Sequence, residues 1–536
     1  MHSNSAVQEA PAAQPVATHK VAVAMGTSTL YGVLASVAQA GTRVFTVPIV
    51  IAHLGLDGYG IWSIIMTTGA YMRFGTAGLK SAFQKYVAEA LGNGNFRRVN
   101  QLISTGSAAM LCASVLGLLP IAIFARALAW HSGVPPRFID STAGSFTLLA
   151  LLMIISNFAA VYEAIVAGAN HIDLVKKFNI VQAVAEAIAI IVCLRLGYGL
   201  LAMTAVMAAS EVGLIVCCYV ASHRLLPQVR LGFEFITRSV VGELARFAGS
   251  YQVLNVLEIL YNAILPLFIL KLYGAAAAGV FALCIRLAST AVMFQESSLL
   301  PLLSSGAMVY ALGTVSEMRL LVNKAFKWTL VMSIPPLAFV SIFGTTIILA
   351  WTGTADAAFT LSLLLVCAAA LFRSVSRAGF ILYRVTGGNI NDIIRQLICI
   401  APILLVALLG HQVGHFGMLA ATAAGELLGM VYMVGALRRV LHGFDLKGLL
   451  PDALKLVIGV GAILAVGTLA AAISGYWNIP TRQDAGLRLL LAIVGSALML
   501  RPALALTKFL SAGEQRAIVD VLLRRGRKPM VAQAQA

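Results

Sequence analysis

Apolar runs of about twenty residues or more follow one another along this chain, divided by short polar turns. A helix rises 1.5 Å per residue, so ~20 apolar residues span the ~30 Å hydrocarbon core of a bilayer. In lipid every backbone N–H and C=O must be satisfied within the segment, which makes each such run a helix. The pattern predicts fourteen spans: 22–52, 59–90, 100–129, 141–168, 178–196, 200–222, 247–272, 278–308, 325–350, 359–383, 396–413, 418–437, 456–475 and 489–509. The fold class expected is therefore an all-α polytopic membrane protein. The second and eighth runs are longer than a bilayer needs, so those helices should tilt or project beyond it.

Composition agrees with the pattern. Of 536 residues, 60% are hydrophobic and 11% charged, whereas soluble domains carry ~25% charged residues. The net charge of +17 would suit a nucleic-acid partner in another setting. Here the Lys and Arg sit in short loops between apolar runs, so membrane orientation accounts for them and no nucleic-acid partner is expected. With the N-terminus placed in the cytoplasm, seventeen loop cations fall inside, from Arg97 and Arg98 through Arg395 to Lys455. Only Arg137, Arg482 and Arg488 fall outside. Both termini are then cytoplasmic, and the basic tail RRGRK (524–528) faces anionic membrane lipids. The first twenty residues lack the charged start and apolar core of a signal peptide and read as a disordered tail.

A repeat runs through the array. Gly55 and Gly60 match Gly274 and Gly279, and GANHIDL (168–174) matches GGNINDI (387–393), all at an offset of 219. Pro48 with Pro266, Trp130 with Trp351 and Gly199 with Gly417 agree within two residues. Two six-helix lobes follow, running parallel because each holds an even number of spans. The domains expected are a tail at 1–20, a first lobe at 21–222, a cytoplasmic linker at 223–246, a second lobe at 247–440, two further helices at 441–512 and a basic tail at 513–536. The linker mixes aromatic and charged residues and suits an amphipathic link in the membrane interface. LGLDGYG (54–60) reads as a tight outer turn after a helix kinked at Pro48.

Charges within the bilayer cost at least ~2.5–3.5 kcal/mol each and need a reason. Six cations qualify as substrate-binding candidates: Arg43, Arg73, Lys80, Arg286, Arg373 and Arg377. Gly69, Arg73, Thr76, Lys80 and Gln84 recur at helical spacing and make one polar stripe. Arg373 and Arg377 share a face at i, i+4. Arginine forks match phosphate oxygens, so an electropositive lumen for a phosphate or pyrophosphate is the functional reading. Pairing with membrane carboxylates, or snorkelling in the case of Lys80, is the structural one. Glu186, Glu211, Glu258 and Glu426 are the acids near mid-depth, candidates either for ion coupling or for that pairing. Glu211 and Glu426 match as repeat partners across a short gap. No P-loop, catalytic constellation or metal-ligand spacing occurs, and the seven cysteines read as core residues, so no cofactor or metal is expected.

The turn LGLDGYGIW, the inner-loop pattern YVAEALGNGNFRRVNQLISTG, the segment ELARFAGSY and the doubled six-helix layout together resemble the polysaccharide or O-antigen flippases. These form the oligosaccharidyl-lipid branch of the multidrug/oligosaccharidyl-lipid/polysaccharide (MOP) exporter superfamily. The resemblance implies a MATE-like, V-shaped transporter of the bacterial inner membrane. It also implies a lipid-linked oligosaccharide, carried on polyprenyl pyrophosphate, flipped by alternating access for lipopolysaccharide or exopolysaccharide synthesis, with a polysaccharide polymerase as a possible partner. The cationic lumen of such proteins would here fall to Arg43, Arg73, Arg286, Arg373 and Arg377. The lipid II flippases and the cation-coupled drug antiporters of the same superfamily are the alternatives. A membrane-embedded glycan polymerase or ligase fits less well, because every outer loop is short.

Overall fold

The computed structural model describes residues 15–74, 86–87, 90–91, 94–169, 171–312, 315–354, 356, 358–385, 390–440, 449–473 and 482–507. Among these, every regular element is helical. Two compact units divide the chain, Met1–Ala275 and Ala276–Ala536. Ten described stretches are long and apolar enough to cross a membrane, which makes this a multi-pass membrane protein. Two of them, Val44–Gly69 and Val256–Met293, run through a break and hold two helical arms each.

The first unit opens with α1 (Pro15–Phe74). Its backbone leaves helical angles at Gly55, with φ 71° and ψ 177°, and not at Pro48. That region of backbone space is open essentially to glycine alone. LGLDGYG is therefore a helix break rather than a loop: residues 15–54 and 56–74 meet directly at one glycine. After it come α2 (Phe96–Ile123), α3 (Ala125–His131), α4 (Ile139–Gly168), α5 (Ile172–Arg195) and α6 (Leu200–Leu225). Helix α4 is the hub, packing on α1, α2 and α6, while α5 packs on α1 and α6. Polar links suit such packing, since lipid offers side-chain donors no alternative. Asn157 of α4 donates to the Met72 carbonyl of α1 at 3.2 Å and to Ser114 Oγ of α2 at 3.0 Å. Thr204 of α6 donates to Ser145 of α4 at 2.9 Å.

Helix α7 (Arg238–Leu312) breaks at Gly274 with φ 86° and ψ 176°, the conformation of Gly55 again. Its second arm begins the second unit. Next come α8 (Val315–Thr352), α9 (Ala358–Val385), α10 (Ile390–Leu409), α11 (Gly414–Val440), α12 (Leu449–Ile473) and α13 (Arg482–Thr507). Packing repeats that of the first unit: α9 lies against α8 and α11, and α10 against α11. The offset read from the sequence reappears in the backbone. Left-handed glycines stand at Gly55 and Gly274, at Gly133 and Gly353, and at Gly197 and Gly414, spaced by 219, 220 and 217 residues. The last two helices dock on α8 through Phe343, Leu456, Val460, Leu464 and Ala492. Arg482 finishes the joint, donating to the Ala350 and Trp351 carbonyls at the end of α8 at 3.0 and 2.8 Å.

Between α6 and α7 the chain is a strap, strung along α2 by that helix's own polar side chains. Asn100 Oδ1 accepts from Arg230 N at 3.0 Å, Ser104 Oγ from Gly232 N at 3.2 Å and Thr105 Oγ1 from Thr237 N at 3.1 Å. Val229 and Val240 join Val99, Leu102, Ile103 and Val161 in one buried cluster.

Candidate functional site

The intramembrane acids organise each unit. In the first, Glu211 of α6 is buried at 4% exposure. Its carboxylate accepts from Ser156 Oγ of α4 at 2.6 Å and from Gln182 Nε2 of α5 at 3.1 Å. In the second, Glu426 of α11 is buried at 1%. Arg373 Nε of α9 donates to its Oε1 at 2.8 Å, and Arg395 Nη1 of α10 stands 3.7 Å from its Oε2. Cys399 Sγ, also on α10, lies 3.7 Å from the same oxygen.

These nodes are equivalents. Each acid sits on the helix that packs against two others, and its partners come from the corresponding pair: α4 and α5 for Glu211, α9 and α10 for Glu426. Ser156 with Arg373 and Gln182 with Cys399 are both 217 residues apart. The chemistry differs. A serine and a glutamine donate to Glu211, whereas two guanidiniums stand at Glu426. A carboxylate this deep is stabilised by charge-assisted bonds, and removing one partner of such a pair is far more costly than the pair is worth.

Glycines make the second node possible. A Cβ on Gly425 would lie 2.5 Å from the Cys399 carbonyl oxygen, and one on Gly429 would lie 2.6 Å from Cys399 Sγ and 3.3 Å from Arg395 Cγ. The stretch GELLG (425–429) is thus a small-xxx-small face that lets α10 close on α11, carrying Arg395 and Cys399 to Glu426. Tyr432 OH donates to Asn391 Oδ1 at 2.6 Å across the same seam.

The six candidate cations separate as follows. Arg43 and Arg73 lie in α1, on either side of the Gly55 break, with their side chains outside the described residues. Lys80 lies outside the described residues altogether. Arg286 is half-buried on the second arm of α7, two residues beyond the buried Cys284. Exposed Ser289 and Thr290 sit one turn on, and both donate to the Arg286 carbonyl. Among the described residues no ion-pair partner of Arg286 is found. Arg373 is engaged by Glu426, its side chain one-third exposed, and Arg377 is half-buried one turn along α9. Of the remaining acids, Glu186 accepts from Ser210 Oγ at 2.7 Å, while Glu258 is exposed on the first arm of α7.

Arg395 carries a correction. The loop count placed it among cytoplasmic loop cations, but it lies inside α10 with 17% of its side chain exposed. The partners of Glu211 left a faint signal, single polar residues within otherwise apolar runs.

Comparison with known proteins sets these nodes in a family. Residues 54–355 match the polysaccharide biosynthesis protein family. No curated protein matches the chain. Several solved structures share the fold. One is an inward-facing multidrug resistance MATE-family transporter of the MOP superfamily, with TM-score 0.66 and 11% identity over 76% of this chain and 94% of that one. Another is the lipid II flippase MurJ in its inward closed conformation, with TM-score 0.65 and 14% identity over 88% and 98%. A third is a MOP-superfamily transporter from Pyrococcus furiosus, with TM-score 0.54 and 12% identity over 79% and 95%.

Proposed function

Because the chain belongs to the polysaccharide biosynthesis protein family, we propose that it flips a lipid-linked oligosaccharide between the leaflets of a bacterial inner membrane. The carrier would be a polyprenyl pyrophosphate such as undecaprenyl pyrophosphate, and the route alternating access. The family match over more than half of the chain carries this reading, and the fold shared with MOP-superfamily transporters supports it. The pyrophosphate would meet Arg286, Arg377, Arg43, Arg73 and Lys80, with Arg373 shared between substrate and Glu426. Arg286 is the first choice, since the residue is only half-buried and no ion-pair partner is found for it among the described residues. Guanidinium forks bind phosphoryl oxygens in pairs, and such binding needs no covalent chemistry, which suits a transporter rather than an enzyme. Of the ion-coupling candidates Glu186, Glu211, Glu258 and Glu426, Glu211 is favoured, because it is buried and accepts from Ser156 and Gln182. Glu426 is engaged by Arg373 and Arg395. Delivery to a surface-polysaccharide polymerase would follow.

The test is reconstitution. Proteoliposomes holding the full chain should expose a fluorescent polyprenyl-pyrophosphate oligosaccharide to an external quencher faster than empty vesicles do. Arg286→Ala should slow this by an order of magnitude while the protein remains monodisperse. No difference between loaded and empty vesicles would end the proposal. The MATE-family likeness favours one second reading, a cation-coupled antiporter. Sensitivity to cationic drugs on deletion, with surface glycan intact, would select it.

A further inference from the structure

The strap between α6 and α7 has two sides. Val229 faces the buried cluster beneath α2, with Leu226 and Leu231 packed against it. The other side carries Phe233, 91% exposed, and Ile236, 40% exposed. Arg224, Arg230 and Arg238 are exposed along the fifteen residues from 224 to 238. Glu234 is the single acid in the strap, and its carboxylate turns back against Gly232.

Helix length places the strap. With 28 residues, α2 is ~42 Å long, ~12 Å more than a hydrocarbon core. Its far end is apolar and exposed, with Ile123 at 66% and the adjoining Phe124 at 64%, as suits lipid. The surplus therefore lies at the near end, where Asn100, Ser104 and Thr105 hold the strap. That end is at headgroup depth on the side the loop charges assign to the cytoplasm. An almost fully exposed Phe233 in a segment that also carries three exposed arginines is the composition of an interfacial anchor. Backbone bonds to α2 side chains hold the strap in place before any lipid arrives, so little ordering entropy is lost on contact.

We propose that this strap is a docking surface for anionic phospholipid headgroups of the cytoplasmic leaflet, with Phe233 inserted among the acyl-chain ends and Arg224, Arg230 and Arg238 on the phosphates. The assignment stands apart from the oligosaccharide reading and survives or fails without it. The full-length chain is placed in nanodiscs of phosphatidylcholine, alone or with phosphatidylglycerol. In a Phe233→Trp variant, brominated lipid should quench the new emission, and phosphatidylglycerol should deepen that quenching by about two-fold. In the wild-type chain, amide exchange over 226–237 should slow several-fold with phosphatidylglycerol while α4 stays unchanged. The Arg224→Gln, Arg230→Gln, Arg238→Gln triple variant should lose the dependence on phosphatidylglycerol. Quenching of the reporter by aqueous iodide, equally in both lipids, overturns the proposal. So does exchange over 226–237 that is the same in both.

Discussion

Gly425 and Gly429 offer the sharpest test of the α10–α11 seam, because the same substitution meets different atoms one turn apart. In Gly425→Ala the new methyl would stand 2.5 Å from the Cys399 carbonyl oxygen. Ordinary contact begins near 3.4 Å, so about 0.9 Å must come from moving the backbone of α10. Arg395 moves with it, and its 3.7 Å approach to Glu426 stretches beyond ion-pair range. Overpacking alone costs ~1–3 kcal/mol, and weakening a buried charge pair adds to it. In Gly429→Ala the methyl meets Cys399 Sγ at 2.6 Å, which is a side chain and can be removed. Cys399→Ala should therefore restore most of the stability lost in Gly429→Ala and little of that lost in Gly425→Ala. Unfolding of the three single and two double variants in one detergent, read by intrinsic tryptophan fluorescence and compared with wild type as two double-mutant cycles, gives the coupling energies. A Gly429→Ala chain as stable as wild type would refute the reasoning. Equal rescue of both variants by Cys399→Ala would refute it too.

Other outcomes follow from single contacts. Gly55→Ala and Gly274→Ala meet no atom within 4 Å, so each should cost ~1–3 kcal/mol through backbone strain alone, seen as lowered thermal stability and not relieved by trimming neighbours. Arg482→Ala removes both donors from the α8 terminus and should raise proteolysis of the α12–α13 pair while α9–α11 stay protected, at a stability cost of ~1–2 kcal/mol. Glu426→Gln should destabilise more than Glu211→Gln, by at least ~1 kcal/mol, because it leaves two guanidiniums facing a neutral amide. Equal losses at the two acids would show that the charge difference between the nodes has no energetic weight.

Legibility varied with the physics behind each feature. The helices were readable because lipid demands continuous apolar runs and full backbone satisfaction, and both leave their mark residue by residue. The repeat was readable for the same reason, since Gly55 and Gly274 occupy a conformation that other residues resist. Within the first unit Arg137 pairs with Asp57 at 2.7 Å, and within the second Arg482 reaches the end of α8. Arg395 was misplaced because a helix entering from a polar loop has no sharp apolar edge. GELLG passed unnoticed because small residues at four-residue spacing are common in apolar helices and gain meaning only beside a partner.

The sequence by itself determined that this chain crosses a membrane many times, in two equivalent halves, with cations and acids where lipid makes them expensive. Hydropathy, charge bias and glycine placement are local properties, and each position declares its own. Which charge answers which acid was decided only by tertiary structure. Glu211 and Glu426 occupy matching places on matching helices, yet one meets a serine and a glutamine and the other two arginines. Those partners lie 29 to 55 residues away along the chain and come within reach only when three helices pack. Pairing in a low-dielectric interior depends on distances of a few ångströms, and no pattern along one helix records them.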